Sequence, residues 1–106
     1  MKLFYLRIPK IRTAGMTQFL WPDWWSEFYQ LVDYLGYEDT GELGEVKERI
    51  LILASDDVAE KIKAKAGEDY QEATLADADA FMQEFEGRTL AERLPKSIAK
   101  KLGLIS

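Results

Sequence analysis

Glu48-Arg49-Ile50-Leu51-Ile52-Leu53-Ala54 is the stretch from which the fold of this chain is read. Its unbroken apolar run, Ile50 to Leu53, leaves no polar face, so it reads as a central strand buried on both sides. Directly after it Ser55 caps a helix with Asp56 and Asp57 in the first turn, Val58, Ala59, Ile62 and Ala66 turned inward, and Gly67 as its end. A short strand near Tyr70 to Leu75 follows. Thr74 or Asp77 then caps a second helix, in which Ala78, Phe81, Met82 and Phe85 share a face and Gly87 closes the end. In the tail Leu90, Leu94, Ile98 and Leu102 recur at four-residue steps. They predict one or two short amphipathic helices, interrupted at Pro95, that fold back onto the sheet or onto the acidic middle of the chain, the alternative being that Lys96, Lys100 and Lys101 meet an anionic membrane or an acidic partner.

Upstream of the central run, Lys2 to Ile8 alternates, with Phe4, Leu6 and Ile8 on one side and Leu3, Tyr5 and Arg7 on the other, which predicts a strand ended by Pro9. Residues 9 to 20 read as a connection. Pro22 and Asp23 suit a first helical turn, and Trp24, Phe28, Leu31 and Leu35 at helical spacing predict a helix from Pro22 to Leu35, stopped by Gly36. The glycine-rich, acidic segment 36 to 46 reads as an exposed, mobile loop. The expected architecture is one small layered domain over residues 1–106, α/β or α+β, with about three strands in the order β-α-β-α-β-α-α.

Composition removes whole classes of chemistry. The chain has no His and no Cys. A Ser-His-Asp triad, a thiolate nucleophile, a disulfide, a structural zinc site and an iron–sulfur cluster therefore all lack their donors. Carboxylates, Tyr, Lys and Ser remain for catalysis, and oxygen ligands for hard cations. No phosphate-cradling glycine loop occurs, and no cofactor is expected. The N-terminal run has an Arg within its apolar part and no small-residue cleavage site, and no apolar stretch approaches the roughly 20 residues of a membrane span, so the expected location is cytoplasmic.

The net charge of −5 conceals a pattern. Lys2, Arg7, Lys10 and Arg12 make the first twelve residues basic, whereas residues 13 to 46 carry Asp23, Glu27, Asp33, Glu38, Asp39, Glu42 and Glu45 with no base. Acids also prevail from 47 to 86, and residues 87 to 106 are basic again. A nucleic-acid ligand needs a continuous basic face, which this distribution disfavours. An acidic surface offered to a basic protein partner fits it better.

Three tryptophans within five residues, Trp21, Trp24 and Trp25, dominate the candidate site, with Tyr29, Tyr34 and Tyr37 close behind. Successive helical residues point about 100° apart, so Trp24 and Trp25 are both fully buried only if a helix is covered on two sides. An incompletely covered tryptophan with tyrosines and an acidic rim has the composition of a binding hot spot. The resulting expectation is a non-enzymatic module that contacts a protein partner, or a second copy of itself, through this aromatic segment. Two alternatives stand beside it. Asp56, Asp57, Asp77 and Asp79 would gather at one sheet edge if the strands were parallel, and could then hold Mg²⁺ for an enzyme; acids in a first helical turn are better explained by capping and the helix dipole alone. An aromatic pocket could instead sense a small apolar ligand.

Overall fold

The computed structural model describes residues 1–106. Five strands form one sheet: β1 (Lys2–Thr13), β2 (Met16–Phe19), β3 (Asp33–Tyr37), β4 (Gly44–Ala54) and β5 (Tyr70–Glu72). Four helices accompany it: α1 (Asp56–Ala66), α2 (Leu75–Glu86), α3 (Leu90–Arg93) and α4 (Lys96–Lys101), with a short 3₁₀ turn over Asp23–Glu27. Every strand pair is antiparallel, in the order β2-β1-β4-β3, with β5 sharing the outer edge of β1. The domain is thus α+β. No parallel crossover occurs, and there are two strands more than the sequence reading predicts.

The β4 run does lie between two layers. Phe4, Leu6 and Ile8 of β1 and Ile50 and Ile52 of β4 face Ala59 and Ile62 of α1, together with Trp25 and Phe28. Leu3, Tyr5, Leu51 and Leu53 face Ala78, Phe81 and Met82 of α2, together with Leu90 and Leu94. Since strand side chains alternate, covering both faces of one sheet consumes the whole apolar run. Ser55 and Thr74 cap α1 and α2 by accepting from the backbone N–H of Val58 and Asp77, and Thr89 and Glu92 form a reciprocal capping box on α3. The chain breaks at Pro95 between α3 and α4, and the tail packs back onto the α2 side through Leu90, Leu94 and the partly buried Ile98 and Leu102.

Two expectations fail for identifiable reasons. Pro9 does not end β1, which continues to Thr13 and turns into β2. The Pro9 carbonyl accepts from the Leu20 N–H at 2.8 Å, so the missing proline N–H points to the same outer edge, in the gap between β5 and β2, where the ladder to β4 needs no donor. The predicted helix Pro22–Leu35 shrinks to the 3₁₀ turn and is followed by strand β3. Trp25 and Phe28 enter one core and Leu35 the other, and no single helix reaches both faces of the sheet. Extended backbone at Asp33–Tyr37 instead gives β4 its second partner.

The acidic segment after β3 is also more constrained than its composition suggests. Glu38 accepts from the Arg49 guanidinium at 2.7 and 3.1 Å, and Asp39 pairs with Arg12. On the sheet face opposite Arg49, Lys10 and Glu48 are wholly buried, with Lys10 Nζ 2.7 Å from Glu48 Oε1 at ion-pair distance but without hydrogen-bond alignment, and 3.7 Å from Asp39. Thr40 donates to the same Glu48 oxygen at 3.0 Å, and the Tyr37 ring lies 5.6 Å from the ammonium. Breaking a buried pair strands its partner charge, whereas replacing both members with apolar groups relieves two desolvation penalties. Lys10→Met is therefore expected to cost about 3–5 kcal/mol in urea unfolding, and Lys10→Met combined with Glu48→Leu to recover most of that loss.

Candidate functional site

A single extra residue in β3 builds the site. Tyr34 pairs with Ile52 and Tyr37 with Ile50, so three β3 steps span two β4 steps, and the register shifts between Tyr34 and Gly36. In a regular strand Tyr34 and Tyr37, an odd number apart, point to opposite faces. The bulge at Leu35 returns both to the face that carries the tryptophans and sends Leu35 into the α2 core. Gly36 opposes Leu51 at this point, and a Cβ there would lie 2.6 Å from Glu86 Cγ, so glycine lets the last turn of α2 approach closely.

Around these tyrosines the aromatic rings lock together. Trp21 stacks on Trp25 with centroids 4.9 Å apart and planes 12° from parallel. Trp25 is buried, and its indole N–H donates to the Tyr34 hydroxyl at 2.9 Å, which in turn donates to the Tyr29 carbonyl at 3.3 Å. Trp21 meets the Tyr34 ring edge to face at 6.0 Å, and Phe19 meets Tyr37 in the same way at 5.5 Å. Arg93 holds the segment from outside, donating to Asp33 and to the Tyr34 carbonyl.

Two concavities share Trp21 and Tyr34 as a common wall. One, of about 270 Å³, is lined by Phe19, Leu35, Gly36, Tyr37 and Glu86. The other is a broader groove of about 610 Å³, bounded by Pro22, Asp23, Trp25, Ser26 and Tyr29. Each has one carboxylate and no basic residue in its lining. Tyr29 and Tyr34 remain 49% and 39% exposed at the broad groove.

Of the residues singled out in the sequence, Trp21, Trp25, Tyr29 and Tyr34 converge on the broad groove, and Tyr37 lines the smaller slot. Trp25 forms the floor and is a core residue. Trp24 turns away, packing edge to face on Phe28 and lining a separate cavity of about 220 Å³ with Pro9, Leu20, Lys47 and Lys65. Glu86 comes from a helix far along the chain, and no local pattern marks it as part of the site.

The four aspartates do not converge. Asp56 and Asp57 start α1 on one face of the sheet, and Asp77 and Asp79 lie in α2 on the other, because antiparallel pairing removes the shared edge that parallel strands provide. Asp56 pairs with the N-terminal ammonium at 2.8 Å, and Asp79 accepts from the Leu90 N–H and from Gln83. No three carboxylates of the chain are grouped to hold a metal ion. Nor is any helix long and apolar enough to cross a membrane.

Fold and site together define a small α+β domain with a bulge-built aromatic groove. No family model matches this chain, and no curated protein or solved structure is significantly similar to it.

Burial raises the Tyr34 hydroxyl above the ordinary tyrosine value, against a smaller lowering from the Trp25 hydrogen bond, and burial likewise raises Tyr5 and Tyr70. A raised folded-state value means that these groups contribute stability that is fully present below the unfolded value near 10 and is lost as pH rises through the folded ones. Ultraviolet titration should show Tyr5, Tyr34 and Tyr70 ionising above the ordinary tyrosine value, with Tyr34→Phe removing one of these late steps.

Proposed function

We propose that this protein is a non-enzymatic binding module that docks a protein partner on the groove formed by Trp21, Tyr29 and Tyr34 over the buried Trp25. The observation that carries the reading is the combination of rigidity with exposure. Trp21, Trp25 and Tyr34 are fixed by a stack and by the hydrogen bonds that run from Trp25 through Tyr34 to the Tyr29 carbonyl, yet Tyr34 and the neighbouring Tyr29 stay more than a third exposed. Fixed aromatics lose little conformational freedom on association and bring large apolar area, which is why such side chains dominate binding hot spots. Of the other exposed apolar residues, Met16 begins β2 and Leu43 lies in the connection between β3 and β4, and neither lines these two concavities.

Ligands selected from a random peptide library against the purified chain test this reading. Binding of the selected peptides is expected to fall about thirtyfold or more in Trp21→Ala and in Tyr29→Ala, the loss of a hot-spot side chain worth 2 kcal/mol or more. Tyr29 is half exposed, so its replacement should leave the melting temperature nearly unchanged. Trp25→Ala serves as the contrasting control, with an expected folding cost of about 3–5 kcal/mol. Selected peptides that bind both groove variants as well as the parent chain would overturn the reading.

A further inference from the structure

We propose that the occupant of the two concavities is a proline-rich peptide segment flanked by basic residues, bound in the polyproline II conformation. This rests on the binding-module reading and specifies its partner. Three features of the surface select this chemistry.

The first is shape. Two apolar slots flank one shared aromatic wall, Trp21 with Tyr34. A polyproline II strand repeats every three residues, and proline-rich segments in this conformation dock in grooves lined by aromatic side chains. Helical ligands bury a longer continuous stripe than two slots on either side of one wall supply.

The second is hydrogen bonding. A polyproline II segment keeps its carbonyls unpaired and has few N–H groups to offer, so its receptor must supply donors. The Tyr29 hydroxyl accepts from Gln30 at 3.0 Å and retains its own proton for an outside acceptor, at the edge of the groove. Preformed polyproline II structure also lowers the entropy cost of docking on a shallow surface.

Charge is the third. Asp23 borders one slot and Glu86 the other, and neither lining contains a base. The guanidinium that reaches this segment, Arg93, is engaged by Asp33 and the Tyr34 carbonyl. A ligand with a cation at each end of its proline core matches this arrangement, and an anionic one meets only repulsion.

The test is a fluorescence and NMR titration of the full chain with a synthetic peptide of about ten residues, carrying proline at every third position and arginine at each end. The expected result is saturable binding that moves the Trp21 indole resonance. Replacing the prolines by alanine, or the arginines by glutamate, should weaken it tenfold or more. Asp23→Asn and Glu86→Gln should each weaken it several-fold and reduce its salt dependence.

Equal binding of the alanine peptide, absence of a shift at Trp21, or preferential binding of a neutral oligosaccharide tried in parallel would overturn the proposal. The library selection separates the two levels. Trp21-dependent ligands that lack proline would sink this inference and leave the docking groove standing, whereas a selection yielding no Trp21-dependent ligand would remove both.

Discussion

The antiparallel ladder between β1 and β4 is the constraint from which the rest of the structure follows. It runs from Lys2 opposite Ala54 to Arg12 opposite Gly44 without a break. Both strands are apolar on both faces over their common centre, so the pair cannot be stable as a hairpin with one wet side. Every other element acts as a cover. The first face receives α1 and the tryptophan turn, and the second receives α2, α3 and the tail. The short strands β2, β3 and β5 close the edges that this pair would otherwise present to other chains.

The polar end of the same ladder accounts for the charge pattern. Beyond Ile8 the inward positions of β1 are Lys10 and Arg12, and Glu48 stands opposite Ile8 on β4. The acidic segment after β3 crosses this end and supplies Glu38, Asp39 and Thr40 as partners. Part of the negative charge that looks free in the sequence, that of Glu38, Asp39 and Glu48, is thus paired within the fold. Asp39 is held below the ordinary carboxylate range chiefly by the Gly41 backbone N–H, with Arg12 and Lys10 adding to it. Its contribution to stability is present above the unfolded value and lost as pH falls through the lowered one.

What remains exposed is the groove, and it depends on the edge strand. A bulge is a local irregularity, yet here it decides which side chains can act together. Without it Tyr37 would join the α2 core and Tyr34 would stand without its neighbour. With it, residues from β2, the tryptophan turn, β3 and α2 surround one surface. The buried Trp25 links that surface to the core, which is why a hydrogen bond to Tyr34 both stabilises the edge and orients the site.

Local chemistry was legible in the amino-acid order. The two-sided burial of Ile50 to Leu53, the caps at Ser55 and Thr74, the stops at Gly67 and Gly87 and the break at Pro95 depend on residues within a few positions of one another, and short-range physics suffices for them. The concentration of aromatics from Trp21 to Tyr37 was legible too, as side chains that some core or surface had to receive. Only tertiary structure decided strand direction, which dispersed Asp56, Asp57, Asp77 and Asp79, and the state of residues 28 to 37. There a helical spacing competes with the unpaired edge of β4. That edge offers backbone hydrogen bonds and two separate cores to fill, and a local pattern cannot register partners that arrive from the far end of the chain.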